Sequence, residues 1–352
     1  LNPRSLERWM WIFTNFPPGG NRTAHSRVSL NMVYLKNGML VGAGAKLYRG
    51  AGGGIGLTPV NAHFCVPDDI LLPYEIAADA GKAHPRGVKY QVPASYRAAA
   101  HALANPGSVV SGFGALALYG LPVLADACDT VLISPKTGRR TLGDSLTPGL
   151  VRGSPEQTWR VFCAGEPLDV VTPALATAQA LKEIRQKRAV WRVETIDDDE
   201  VFVRAVQLVD ATRRFLGLTP GSILAAGRQR IDVRWLTRVI ASSSAHADSP
   251  KETEMRLILR RVADAHGLTL VEQVECRRQG QIVTRLDLAL LEPKYGYMFD
   301  GAHHWTKAQR VKDARINVEL GLIGVTPLRF ATDLLHTIPT VTAAMLRKDG
   351  FL

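Results

Sequence analysis

The sequence predicts an α/β (α+β) protein, in which a mixed α/β N-terminal and middle region precedes a C-terminal domain with elements in the order αβββαβ. Three observations carry this. Apolar runs of strand length alternate with segments of helical period from about Val92 onward. A Ser-Pro-Lys-Glu helix start at Ser249 opens a series of strands with two-residue periodicity. At 352 residues and 46% hydrophobic content, the chain is long enough to build two or three domains with proper cores.

Composition narrows the class further. Lys and Arg number 43 against 32 Asp and Glu, a formal net charge of +11, which favours polyanions such as nucleic acid or an anionic membrane surface. The four cysteines are scattered and none forms a CxxC pair, which argues against a zinc ribbon or a disulfide framework and fits a reducing cytoplasm. No apolar run reaches bilayer-spanning length, and the MWIF segment is too short for a signal-peptide core. A cytoplasmic protein without a membrane partner is therefore expected.

The chain divides at residues 1–90, 91–248 and 249–352. In the first part, Asn37-Gly38 between two apolar runs predicts a two-residue hairpin, and the glycine-rich Gly42–Gly56 lacks the Gly-Lys-Ser/Thr ending of a phosphate-binding loop and reads as a connection. In the middle part, PASYRAAAHALANPG is a helix stopped by Pro106-Gly107, and Ser111 is placed to cap a second, apolar helix. TVLISP is a buried strand. Lys136, Arg139 and Arg140 after it either touch DNA phosphates or form a solvated turn. DVVTPALATAQALKEIR passes from strand to helix, and Asp197–Glu200 charges the start of an amphipathic helix. ASSSAHADSP is the best linker.

The C-terminal part concentrates chemistry. Ser249, Pro250 and Glu252 form a capping box, while Glu252, Met255, Leu259 and Val262 share one helix face that turns the carboxylate toward the packed side. In VTRLDLALL, strand parity places Leu286, Leu288 and Leu290 on one face and Arg285, Asp287 and Ala289 on the other. An aspartate in so apolar a strand is costly unless paired or metal-bound. YMFDG places Met298 and Asp300 on one face, and pairing of these two strands would bring Asp287 and Asp300 to one site suited to Mg2+ or Mn2+. His303 and His304 follow directly and are candidates for proton transfer. Along the next helix Arg310 is a candidate phosphate contact beside Asp313, Asn317 and Leu320, and Pro327 assigns the GVTPLRF strand to a sheet edge. The last segment is a helix broken near Pro339.

This order of Glu252, Arg285-x-Asp287, Asp300-Gly301 with His304, Asp313 with Leu320, and GVTPLRF resembles the very-short-patch-repair-like endonuclease domain of the restriction-endonuclease-like PD-(D/E)xK superfamily. The segments VVSGFGALALYGLPVL, TVLISP and DVVTPALATAQAL are similar to a group of actinobacterial proteins that join this domain to an AbiEi-antitoxin-like region. The resemblance implies a DNA-acting hydrolase with Mg2+ at Asp287 and Asp300, Glu252 and His304 assisting, and Arg285 near the DNA. It also implies a setting in toxin–antitoxin or phage-defence systems. Three residues depart from the pattern: Met298 stands where many members carry glutamate, no (D/E)xK lysine follows, and Ile316 replaces a helix arginine, with Arg315 one position early. A catalytically inactive DNA-binding regulator of antitoxin or repressor type, or a phage-defence interaction module, therefore stands beside the endonuclease reading.

Overall fold

Strand and helix alternate through the middle of the chain because β-branched runs such as Val109–Ser111 and Val131–Ser134 are separated by alanine-rich segments with few β-branched residues. The computed structural model describes residues 47–49, 56–136, 144–155, 157–163, 166–194, 198–301 and 307–352, and the backbone of 34–35 and 38–39. The side chains of Phe162 and of 307–310 lie outside that description. The fold is mixed α/β and divides into two units. One takes the chain to Arg192 together with Ala211–Ala241, and the other takes Val193–Asp210 with Ser242–Leu352.

In the first unit, β1 (Tyr34–Leu35) and β2 (Gly38–Met39) pair antiparallel with Leu35 opposite Gly38. Gly38 therefore stands within a strand, and Asn37, the other residue of the expected turn, lies outside the described residues. Strands β3 (Tyr48–Arg49), β4 (Leu57–Pro59) and β5 (Phe64–Pro67) form a small antiparallel sheet in the order β3-β5-β4. Helices α1 (Tyr74–Ala83) and α2 (Ala94–Ala104) follow; Tyr96 and Ala100 of α2 pack with Phe64 and Val66 of β5. A five-stranded sheet is built from β6 (Val109–Ser111), β7 (Val131–Ser134), β8 (Gly149–Arg152), β9 (Thr158–Cys163) and β10 (Glu166–Val171), in the order β8-β7-β6-β10-β9. Helix α3 (Gly112–Leu118) packs on α2 and on α4 (Pro173–Arg185).

Ser111 occupies the N-cap of α3, but its hydroxyl donates to the Val131 carbonyl at 2.9 Å, and the first helical N–H, of Gly112, is received instead by Gln179 Oε1 at 3.0 Å. A sheet-facing serine is drawn to the neighbouring strand, and α4 supplies the cap. Arg97 of α2 is fully enclosed: its guanidinium donates to the carbonyls of Val92, Cys128 and Asp126 at 2.8–3.0 Å and lies 3.7 Å over the Tyr90 ring. Four favourable contacts replace the water that this charge gives up.

Helix α5 (Glu200–Leu216) is divided between the units at Asp210. Two short helices, α6 (Pro220–Gly227) and α7 (Val233–Ala241), complete the first unit.

The second unit is a four-stranded sheet with helices on both faces. Its strands β11 (Leu270–Arg278), β12 (Gln281–Leu290), β13 (Tyr295–Phe299) and β14 (Thr326–Phe330) stand in that order, antiparallel except for the parallel β13–β14 pair. β14 takes the edge, where Pro327 costs no ladder bond. Helices α8 (Pro250–His266) and α10 (Ile338–Lys348) cover one face through Met255, Leu259, Ile338 and Leu346 against Leu288, Leu290, Tyr295, Tyr297 and Phe330. Leu320 of α9 (Lys307–Leu322) covers the other, against Cys276, Leu286, Ala289 and Met298. A 3-10 turn at Thr332–Thr337 precedes α10, so Pro339 lies in the first turn of a new helix.

The unit also reaches back to 193–210, upstream of the linker. Asp210 is buried and takes hydrogen bonds from Arg256 at 2.6 Å, Thr253 at 2.8 Å and the Ser244 N–H at 2.7 Å. Gln207 donates to Glu254 at 2.7 Å, and Asp198 pairs with Arg261. The acidic start of α5 thus serves α8, with Asp199 also receiving the Val201 N–H.

Candidate active site

The N-terminal turn of α8 is fixed by the residues that predicted it. Ser249 is the N-cap and accepts the Glu252 N–H at 3.2 Å, and Pro250 occupies the first turn. The carboxylate of Glu252 closes the box by a different route from the usual one, receiving the Asp248 N–H at 2.9 Å and the Ser249 hydroxyl at 3.0 Å. On the same side of the helix Met255 and Leu259 are buried. Burial, and then the charge of Asp287, push the Glu252 carboxyl up to about 7. A capping role and a place in a carboxylate cluster coexist in one side chain.

Asp287 comes to this cluster through an irregularity in the sheet. The β12–β13 ladder runs from Leu290 opposite Tyr295 to Leu288 opposite Tyr297, and beyond it the Asp287 carboxylate accepts the Phe299 N–H at 2.7 Å. On the β11 side, Glu272 pairs with Leu288 and Val274 with Leu286, and Gln273 between them has a positive φ of 54°. The regular pleat is broken there. Leu286 packs with Ala289 and Met298, away from Leu288 and Leu290, which corrects the strict alternation expected for this strand. Close packing explains the face it chooses: a Cβ on Gly296 would stand 2.6 Å from Leu286 Cδ1, so the missing side chain of Gly296 is the space that Leu286 fills. Burial, with the charges of Asp248 and Asp300, pushes the Asp287 carboxyl up to about 6, against the Phe299 N–H and Arg329, which hold it down.

Asp300 ends β13, with its N–H donating to the Phe330 carbonyl at 2.9 Å. Its Oδ1 receives Arg329 Nη1 at 2.9 Å, while Arg329 Nη2 lies 3.4 Å from Asp313 and its Nε 3.4 Å from Asn317 on α9. Ile316 packs in the core cluster with Leu320. The guanidinium that pairs with Asp313 therefore comes from the neighbouring strand. Met298, opposite Arg329 in the ladder, is buried among Cys276, Leu286 and Ala289.

Glu252, Asp287 and Asp300 thus belong to one electrostatic cluster, together with Asp248 and Arg329. Those last two escaped the sequence reading. Asp248 was absorbed into a polar linker, and Arg329 was given no role within the GVTPLRF strand; the available signal was its position one strand away from Asp300. Arg285 is exposed on β12 opposite Glu275, and Lys136 is exposed just past β7. Arg310 lies within α9, its side chain outside the described residues; Arg139, Arg140, His303 and His304 lie outside them altogether.

The donor set is all oxygen, and its carboxyls are raised first by burial and then by one another's charge, an arrangement that suits a hard divalent cation. Among the described residues no three His, Cys, Asp or Glu side chains form a ready ligand group. A cation at Asp287 and Asp300 would complete its shell with water or substrate oxygens, as Mg2+ commonly does. No family model matches the chain, and neither does any curated protein sequence or solved structure.

Proposed function

We propose that the second unit is a restriction-endonuclease-like domain that hydrolyses DNA phosphodiester bonds with Mg2+ or Mn2+. The observation that carries this reading is the convergence of the half-buried carboxylates Glu252 and Asp287 where β12 and β13 part, with Asp287 accepting the Phe299 N–H and both groups raised, to about 7 and about 6, chiefly by burial. Asp287 and Asp300 would hold the ion. Bound Mg2+ supplies charge stabilisation at the scissile phosphate and a more acidic water. Glu252 has the affinity for protons that a general base needs near neutral pH, and its Ser249 and Asp248 partners fix its orientation. Arg329 orients Asp300 and screens part of the local negative charge. His303 and His304 are further proton carriers in this proposal, and Lys136, Arg139, Arg140, Arg285 and Arg310 would hold the DNA backbone.

Plasmid cleavage with Mg2+ or Mn2+ tests the reading. Wild type should nick or cut, and Asp287→Ala should lose at least about a hundredfold in rate, the scale of losing a key electrostatic group. Equal rates in the two proteins would sink it.

Met298 favours a second reading. At the position where many relatives in the resembling group carry a carboxylate, its side chain is buried in the α9-side core, and a catalytic acid there would need that core rebuilt. A DNA-binding regulator without cleavage would shift DNA equally with or without divalent metal, and equally as Asp287→Ala.

A further inference from the structure

The first unit carries a charged surface that the carboxylate cluster does not involve. Helix α4 packs against α6, and α6 against α7. The contact between α6 and α7 is close because Gly227 has no side chain, leaving room for Leu236. Leu236 and Val239 bury one side of α7, whereas Arg234, Thr237, Arg238 and Ala241 are exposed at positions that follow one helical stripe. The connection from α6 adds the exposed Arg228 and Arg230. The last turn of α4 adds the exposed Lys182 and Arg185, and the Arg185 guanidinium lies 5.3 Å from the centre of the Trp235 ring, which ties that turn to α7.

The exposed charges of this face are mostly basic. From 228 to 238 the sequence holds Arg228, Arg230, Arg234 and Arg238 against a single acid, Asp232. Asp232 is engaged in its own helix start, accepting the Trp235 N–H at 2.8 Å. The exposed Arg228, Arg230 and Arg234, with Lys182 and Arg185, set up a positive potential that complements a polyanion.

We infer that the face formed by α6, α7 and the end of α4 binds the phosphate backbone of duplex DNA, with Arg228 and Arg234 as direct contacts. Small side chains beside the arginines of α7, Thr237 and Ala241, allow close approach of the duplex, and the order short helix, tight connection, short helix is one that DNA-binding proteins use to enter a groove. The inference deepens the DNA reading above by naming a binding surface, and it needs neither metal nor cleavage.

The test is fluorescence anisotropy of a labelled random-sequence duplex titrated with the full chain in EDTA, over a range of salt concentrations. Arg228→Ala/Arg234→Ala should weaken binding on the order of tenfold at low salt and make the salt dependence shallower by about 2 in log–log slope. Arg228→Lys/Arg234→Lys should keep most of that slope, because the charge is retained. Unchanged affinity and slope in the double alanine variant, with circular dichroism showing it folded, would overturn the inference. So would binding to phosphatidylserine vesicles without binding to the duplex, which would assign the face to a membrane. Weakened binding of the double alanine variant in EDTA, together with no cleavage by wild type, would leave this face standing and remove the endonuclease reading, and cleavage by wild type with unweakened binding of that variant would do the reverse.

Discussion

Glu252 is asked for opposite things by its neighbours. As a cap it is best charged, and beside Asp287 in a buried setting it is best neutral, and burial wins by raising it from an ordinary 4.5 to about 7. For a carboxyl whose folded value is raised, the native state binds more protons than the unfolded chain between those two values. Stability is therefore greatest below about 4.5 and is lost as the pH rises through about 7. Asp287, raised to about 6, acts in the same direction. Thermal melts of wild type and Glu252→Gln between pH 5 and 8, marking roughly the window these values define, should show a fall in Tm that the variant shares only in part. Added Mg2+ should recover stability at the upper end if the ion neutralises the cluster. Identical slopes in the two proteins would remove Glu252 from the cluster.

At the scale of the element, β12 shows how a strand is bent to serve a site. Positive φ at Gln273 and the bare surface of Gly296 together allow Leu286 to turn to the α9 face while Asp287 meets the Phe299 N–H. Gly296→Val would set a branched side chain against Leu286, inside van der Waals contact, in the centre of the sheet. Overpacking of this kind costs about 1–3 kcal/mol, so chemical denaturation should show a lower midpoint, and the displaced strand should reduce any Asp287-dependent activity as well. A midpoint equal to wild type would mean that Leu286 moves aside freely.

At the scale of the whole molecule, the second unit is not continuous in sequence. Residues 193–210 belong with 242–352 because α8 would otherwise bury Arg256 and Glu254 without Asp210 and Gln207. Removing one member of such a buried ionic group costs roughly 3–5 kcal/mol. A fragment beginning at Val193 should unfold cooperatively, whereas one beginning at Ser249 should be strongly destabilised or aggregate, as differential scanning calorimetry would show. Equal melting of the two fragments would make α5 dispensable.

Much of this architecture was legible in the residues themselves. Local chemistry determined the cap at Ser249, the edge position of the Pro327 strand, the order of elements from α8 to β14 and the apolar face of α8, since each depends on neighbours within a turn or a strand. Tertiary structure alone decided that Leu286 leaves the face of Leu288, that Asp210 anchors α8 from upstream of the linker, and that Arg329 bridges Asp300 and Asp313. Each of these depends on a contact between segments far apart in the chain, where packing volume and the need to pair a buried charge outweigh the local period.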